Sequence, residues 1–504
     1  MFTYDGAAAL EWIETNGLGG WASSTVCFAN TRRYHGLLVA ATETERRVLV
    51  AKLDETIDGV SLATNRFPGA IHPRGFEHLA TFARNAFSVW EYEVGGVRLR
   101  KTVVAPRGEN TTIVLYEVLA APVPFELRLA PFLAGRDYHS LQRRGGSVDH
   151  VTVDVPGSRF ESAPDWWLNF VYDREEERGL DAIEDLWTPG LYVLTLKQGD
   201  VLPVVLATER RERDALAMIA AERARREALG GVLARAADQF IVGVIPSAAR
   251  NPPPTDTIIA GYHWFTDWGR DTMIALPGLC LATGRFADAR RILAHWAGAM
   301  SRGMIPNRFP DGTTELAYNA VDATLWFFIA VWHYWKATGE RTFVDSLRDA
   351  IAWLDRGTRY DIHVDADGLL SAGADGVALT WMDAIVDGRA VTPRRGKPVE
   401  VNALWANALQ IVAELTSDDA LRRRALDVRN TFERAFWNED AGCCYDVIGD
   451  ASIRPNQVIA LSLPFPLFDD ARAESILSTI DAKLLTPVSW VTTTHSWWRR
   501  PVTP

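Results

Sequence analysis

Two segments in the second half of the chain, Val321–Thr338 and Val401–Leu415, read as helices that are apolar nearly all the way round. A helix at a protein surface carries one apolar stripe, so a helix apolar on every side has to be enclosed. Other helices alternate with them: Thr272–Thr283, Phe286–Arg302, Thr342–Arg356, Asp418–Phe436, Pro455–Leu463 and Asp469–Leu484. Gly284 and Gly339 stand where helices end, each opening a short link to the next helix. Short links between helices mean hairpins. A ring of apolar inner helices wrapped by amphipathic outer ones, an α/α toroid, accounts for the pattern. No fixed repeat period marks a solenoid. The most apolar stretch, Ala323 to Trp335, is too short to span a bilayer and contains His333, so it reads as a buried helix.

Residues 1 to 205 follow a different grammar. Short runs rich in Val, Leu, Tyr and Phe alternate with turn residues: Arg47–Leu53, Val97–Val104, Thr111–Val118, Phe125–Phe132, Val148–Val153 and Leu191–Leu196. Gly95-Gly96 between Trp90–Val94 and Val97–Val104 is a two-residue hairpin signal. Many short strands with regular turns predict a β-sandwich. Gly17-Leu18-Gly19-Gly20 lacks the spacing of a phosphate loop and precedes a β-run, so it reads as a turn. Residues 206–255 form a helical linker, amphipathic from Glu209 to Phe240 and broken at Gly230-Gly231, with Pro252-Pro253-Pro254 at its exit.

Composition narrows the functions open to a chain of 504 residues, which has room for two or three domains. A net charge of -11 argues against nucleic acid or an anionic membrane as partner. Cys27, Cys280, Cys443 and Cys444 form neither a disulfide framework nor a metal-ligand spacing, which fits a reducing cytoplasm. The N-terminus has no secretory pattern. The scattered histidines make no metal set, and no metal or cofactor is expected. The compositional outlier is 19 tryptophans. Indole rings fill cores, and they also stack on the apolar faces of sugars.

Several tryptophans sit among acids, amides and arginines where inner helices begin. In a toroid those first turns converge on one face. The first cluster runs from Tyr262 to Asp271 and holds Trp264, Asp267, Trp268, Arg270 and Asp271. Asp267 and Asp271 are four apart, so they could cap a helix or form part of a polyol-binding wall. The second runs from Pro306 to Asp311 and on to Asp322, with Asn307, Arg308, Asn319 and Asp322, where amides and acids offer short-reach partners for hydroxyl groups. Asp322 reads equally as a charge favoured at a helix N-terminus. Trp381-Met382-Asp383 forms the third, between two polar loops. A carboxylic acid against an indole and a thioether is biased towards its neutral form, as a general acid requires. Read alone, Asp383 could equally be a surface turn residue. The fourth is Glu400, Asn402 and Trp405 at a helix start, and Asn456 in Arg454-Pro455-Asn456-Gln457 repeats the theme.

At these clusters the sequence resembles the glycogen debranching enzyme family, in its bacterial and archaeal type with an amylo-α-1,6-glucosidase domain. Glu14 to Trp21 and Thr31 to Leu38 are similar to that family's N-terminal domain. The second half is similar at Trp264–Thr272, Gly303–Pro310, Tyr318–Trp326, Leu379–Ala384, Pro398–Trp405 and Arg454–Pro464. The resemblance implies a β-sandwich over 1–205 and a six-hairpin (α/α)6 glucosidase domain over 256–487. It implies hydrolysis of α-1,6-linked glucose at branch points of glycogen-like α-glucans, with inversion and without a metal. It makes Asp383 the general acid. A second carboxylate must then serve as base across a water molecule.

Residues 488–504, from Val488 to Pro504, have no helical period and do not resemble the family. The resemblance places the base in further helices, so the toroid is expected to be truncated near Val488, by a shifted frame or naturally, and to lack its base. Glu400 and Asp271 are weak substitutes. Two alternatives follow: another six-hairpin glycosidase, glucoamylase-like or trehalase-like, and an inactive α-glucan-binding remnant. No separate 4-α-glucanotransferase domain is evident.

Overall fold

The computed structural model describes residues 2–42, 45–243, 256–309 and 315–486. Asp311, the triple proline and the tail from Pro487 lie outside the described residues. Those described fall into two units: residues up to 243 with Gly261–Thr266, and the remainder.

The first unit holds two large antiparallel sheets. One runs in the order Glu11–Thr15, Trp21–Thr25, Gly36–Ala41, Arg46–Ile57, Phe125–Asp137, Ile183–Leu196 and Arg159–Val171, with Val60–Ser61 added to Arg46–Ile57. The other runs Thr152–Asp154, Val201–Ala207, Thr111–Ala120, Val97–Val104, Ser88–Val94 and Leu79–Arg84. Leu53, Leu127 and Leu129 of the first sheet share one buried cluster with Leu99, Val114 and Val204 of the second. The predicted hairpin forms: Val94 pairs with Val97, and Gly95 and Gly96 have φ of 57° and 84°. Positive φ at both central residues is the geometry a two-residue turn needs to match strand twist. Gly17 to Gly20 likewise joins two antiparallel strands. Arg159–Val171, absent from the expected strands, is an edge strand, mostly exposed along its length. The segment expected as a linker forms the helices Ala215–Ala228 and Val232–Phe240, and Ala215 and Ile219 pack with Phe87, Val104 and Ile113 of this unit.

The second unit is helical. Gly269–Leu276, Val321–Thr338, Val399–Thr416 and Gln457–Ser462 pack in succession, each against the next. Between them come Phe286–Gly298, Val344–Arg356 and Asp419–Phe436, with Asp470–Lys483 last, and each packs on an inner helix. The division follows residue pattern. Val399–Thr416 is buried along almost its whole length, whereas Val344–Arg356 buries only Leu347, Ala350, Ile351 and Leu354, one stripe at helical spacing. Four inner–outer pairs therefore lie among the described residues. Gly339 ends its helix at φ 78°, its N–H donating to the Trp335 carbonyl at 2.7 Å. The helix expected from Thr272 begins at Gly269 and passes into a π-turn over Pro277–Leu281.

The outer helices Asp419–Phe436 and Asp470–Lys483 are capped by the side chains of Asp418 and Asp469. The three long inner helices are not: Trp268, Ala320 and Pro398 at their N-caps offer no side-chain acceptor. Each carries an acid in its first turn, Asp271, Asp322 and Glu400, as the outer helices do with Asp288, Asp345, Asp419 and Asp470. An acid there is favoured by the helix dipole. What distinguishes the inner starts is burial, since Asp322 and Glu400 are enclosed.

Candidate functional site: a half-open acid cluster and a sealed one behind it

Gly269 opens the first inner helix because nothing larger fits. A Cβ there would lie 2.6 Å from the Pro306 carbonyl oxygen, and the Gly269 N–H donates to the Asn307 carbonyl at 2.8 Å. This contact lays the 306–309 segment along the helix start, with Arg308 stacked over the Trp268 ring at 5.4 Å. Asn307 is buried, and its amide donates to Asn319 at 3.2 Å.

Arg270 leaves the same turn and forms two parallel bonds to Asp322, Nε to Oδ2 at 2.7 Å and Nη2 to Oδ1 at 2.8 Å. Its third nitrogen, Nη1, lies 3.8 Å from Oδ2 of Asp383. The Asp383 side chain is 41% exposed, so it can meet a ligand, whereas that of Asp322 is 1% exposed. Burial lifts the Asp383 carboxyl above its ordinary value. Arg270 pulls it down, Asp322 and Asp271 push it up, and the net shift is upward. Asp271 is raised as well, again first by desolvation, although the residue as a whole is exposed. One guanidinium among three carboxylates leaves negative charge in excess, so holding a proton on Asp383 or Asp271 relieves repulsion.

Behind this cluster lies a second one. Arg394 bonds both oxygens of Glu400 and both of Asp446, the Asp446 contacts at 2.8 and 2.9 Å, and reaches Thr380 Oγ1 at 3.3 Å. Arg454 also pairs with Asp446. Asn456 donates to Asp446 Oδ1 at 2.6 Å and accepts the Trp381 indole N–H at 2.8 Å. Trp381 itself is 38% exposed. Arg394 and Asp446 are not among the residues that sequence pattern singles out; the only local signal is a pair of arginines in the Gly- and Pro-rich loop between Asp383 and Glu400.

The structure brings Trp268, Arg270, Asn307, Arg308, Asn319 and Asp383 to adjoining helix starts and loops. It moves other expected wall residues into the interior. Glu400 is fully buried with both oxygens held by Arg394, so it can neither line a sugar site nor take a proton from water. Asn402 is fully buried because its side chain serves the backbone of Leu370 and Pro398. Trp405 is a core residue whose indole N–H is bound by the Gly368 carbonyl. Asn456 is buried and acts through Trp381. Asp322 is buried beneath Arg270. Asp267 is buried, its carbonyl accepting from the Phe309 N–H. Trp264 belongs to the first unit, where Arg32 lies 5.3 Å over its ring and Tyr34 packs against it edge-on. Among the described residues no group of His, Cys, Asp or Glu could hold a metal ion, and no helix is long and apolar enough to cross a membrane.

Both regions of the chain are similar to known proteins. Residues 235–498 match the family described as Amylo-alpha-1,6-glucosidase, and residues 10–202 match Glycogen debranching enzyme N terminal. The first match runs past Pro487, where the motif-based likeness ends. The chain is 25% identical over 321 residues to the glycogen debranching enzyme of Saccharomyces cerevisiae, covering 44% of this chain and 21% of that protein. It thus spans about a fifth of the length of that curated relative. A bacterial glucoamylase solved in complex with acarbose shares the fold, with a TM-score of 0.54 at 12% identity over 95% of this chain and 79% of that one. With one family match covering more than half of the chain and a second covering most of the sheet-rich region, the chain belongs to the glycogen debranching enzyme family.

Proposed function

We propose that the chain is a glycoside hydrolase that removes α-1,6-linked glucose from branch points of glycogen-like α-glucans, with Asp383 as general acid. One observation carries the reading. A half-exposed carboxyl with an upward-shifted pKa sits beside an exposed tryptophan and a guanidinium, in a chain of the debranching family. The Asp383 proton passes to the glycosidic oxygen as the bond from C1 to that oxygen breaks. Water adds to C1 from the opposite face, which inverts the anomeric centre, and gives its proton to a base. Trp381 and Trp268 offer apolar faces to sugar rings, and Arg270, Asp271, Arg308 and Asn319 offer polar partners. Glu400 is withdrawn as a base because Arg394 holds it, and the base is left unassigned. The free, buried cysteines fit a cytoplasmic setting. The proposed catalytic domain is 256–487, after a sandwich at 1–205 and a linker at 206–255.

The fold likeness to a glucoamylase does not choose the linkage, so the test must. Purified chain is incubated with an α-1,6-glucosyl-branched maltooligosaccharide and with its linear α-1,4 counterpart, beside Asp383→Asn. Glucose released first as the β-anomer, from the branched substrate only, and reduced about 10²- to 10⁴-fold in the variant, is the expected result. Release from the linear chain alone points to the glucoamylase-like reading. Binding of glucan without release by a folded chain leaves a binding protein.

A further inference from the structure

The sealed cluster holds the acid loop from behind. Thr380 is bonded by Arg394, Trp381 by Asn456 and the Met382 sulfur by Asn456 at 3.5 Å, so the three residues before Asp383 are each tied to one buried assembly. The Met382 carbonyl accepts from Thr392, two residues before Arg394. Arg394 itself has φ 43°, a left-handed conformation that an arginine adopts only when its surroundings impose it. All of its described bonds go to Glu400, Asp446 and Thr380, and none of these partners is exposed. Charge neutrality alone would not require Arg394 and Asn456 also to bond Thr380, Trp381 and Met382 in succession.

We propose that Arg394, Asp446 and Asn456 form a positioning clamp that aims the Asp383 carboxyl and sets the Trp381 ring beside it, which rests on Asp383 being the general acid. The three touch no sugar; they act through the loop. A clamp of this kind has a leaving-group signature that a purely structural role lacks. Departure of an alkoxide from C1 needs the proton of Asp383, whereas fluoride leaves α-glucosyl fluoride without one.

The experiment compares wild type, Asn456→Ser and Arg394→Lys on the branched maltooligosaccharide and on α-glucosyl fluoride, after circular dichroism and melting confirm folding. The inference expects kcat on the branched substrate to fall about 10- to 10²-fold in Asn456→Ser, as for a displaced catalytic group. On the fluoride kcat should fall several-fold less, because fluoride leaves unprotonated, and a KM rise common to both substrates reports the displaced Trp381 ring. Asn456→Ser alone decides the outcome if Arg394→Lys does not fold. Equal losses on both substrates, or no loss on either, overturn the clamp while leaving the hydrolase intact. A wild type inactive on both substrates overturns the hydrolase reading and the clamp with it.

Discussion

Arg270 and Arg394 make the same kind of contact, a fork of parallel bonds to a carboxylate on the first turn of an inner helix, yet their clusters suit opposite tasks. Around Arg394 every partner is buried, and its positive charge is spent on Glu400 and Asp446 with Arg454 adding a second cation. Around Arg270 the buried fork takes only Asp322, and the remaining nitrogen faces a carboxyl that is open to solvent and not fully neutralised. Balanced and dry, the Arg394 cluster offers no acid that a ligand could reach. Unbalanced and half wet, the Arg270 cluster holds an acid whose proton can leave. A buried ion pair therefore locates the architecture of such a site, and the neighbouring under-compensated acid locates its chemistry.

Changing the Arg394 hub and then the Asp322 partner of Arg270 puts that contrast at risk. Arg394→Met leaves Glu400 and Asp446 without their shared cation in the interior. Breaking a buried pair from one side costs about 3–5 kcal/mol, read by denaturant unfolding. A loss below about 1 kcal/mol would show that water reaches the cluster and that it is not sealed. Asp322→Asn tests the open cluster more gently, since the amide keeps the shape and an acceptor for Arg270. It removes a charge that pushes Asp383 up and frees the guanidinium to pull it down. A general acid works protonated, so activity is lost as pH rises through its pKa. The basic limb of the kcat/KM profile should therefore move to lower pH. An unmoved limb would disconnect Asp322 from the acid.

How much of this is legible in the sequence depends on range. The Val321–Thr338 helix can be bounded to the residue because its stop, Gly339, is its own neighbour in sequence. Asp418 can be read as a helix start for the same reason. The Asp383 loop is legible because its aromatic and thioether neighbours are adjacent. Arg394 and Asp446 are not, since they are 52 residues apart and nothing local marks either as the other's partner. Asn402 and Trp405 mislead because a polar or aromatic residue at an inner-helix start can face a ligand or a loop backbone, and the Gly368–Leu370 carbonyls claim both. Arg159–Val171 escapes notice because an exposed edge strand has no buried face to impose alternation on its residues.

The smallest effect makes the most specific claim about Asp383. Its carboxyl is raised in the folded chain, so ionising it costs the native state more than the unfolded one. Below the unfolded value of about 3.8 both states hold the proton and no penalty exists; the penalty grows as pH rises from there through the folded pKa. Asp383→Asn mimics the protonated form and escapes it. The variant should therefore lose turnover yet melt slightly higher than wild type at neutral pH, and the two melting curves should converge as pH falls below about 4. Because the side chain is 41% exposed, solvent screens much of the interaction and the gain is small. An acid placed for structure behaves in the opposite way. If Asp383 were held ionised by Arg270, the amide would destabilise the fold at neutral pH and the difference would shrink in acid. The sign of that one melting shift separates an acid kept for chemistry from one kept for the fold.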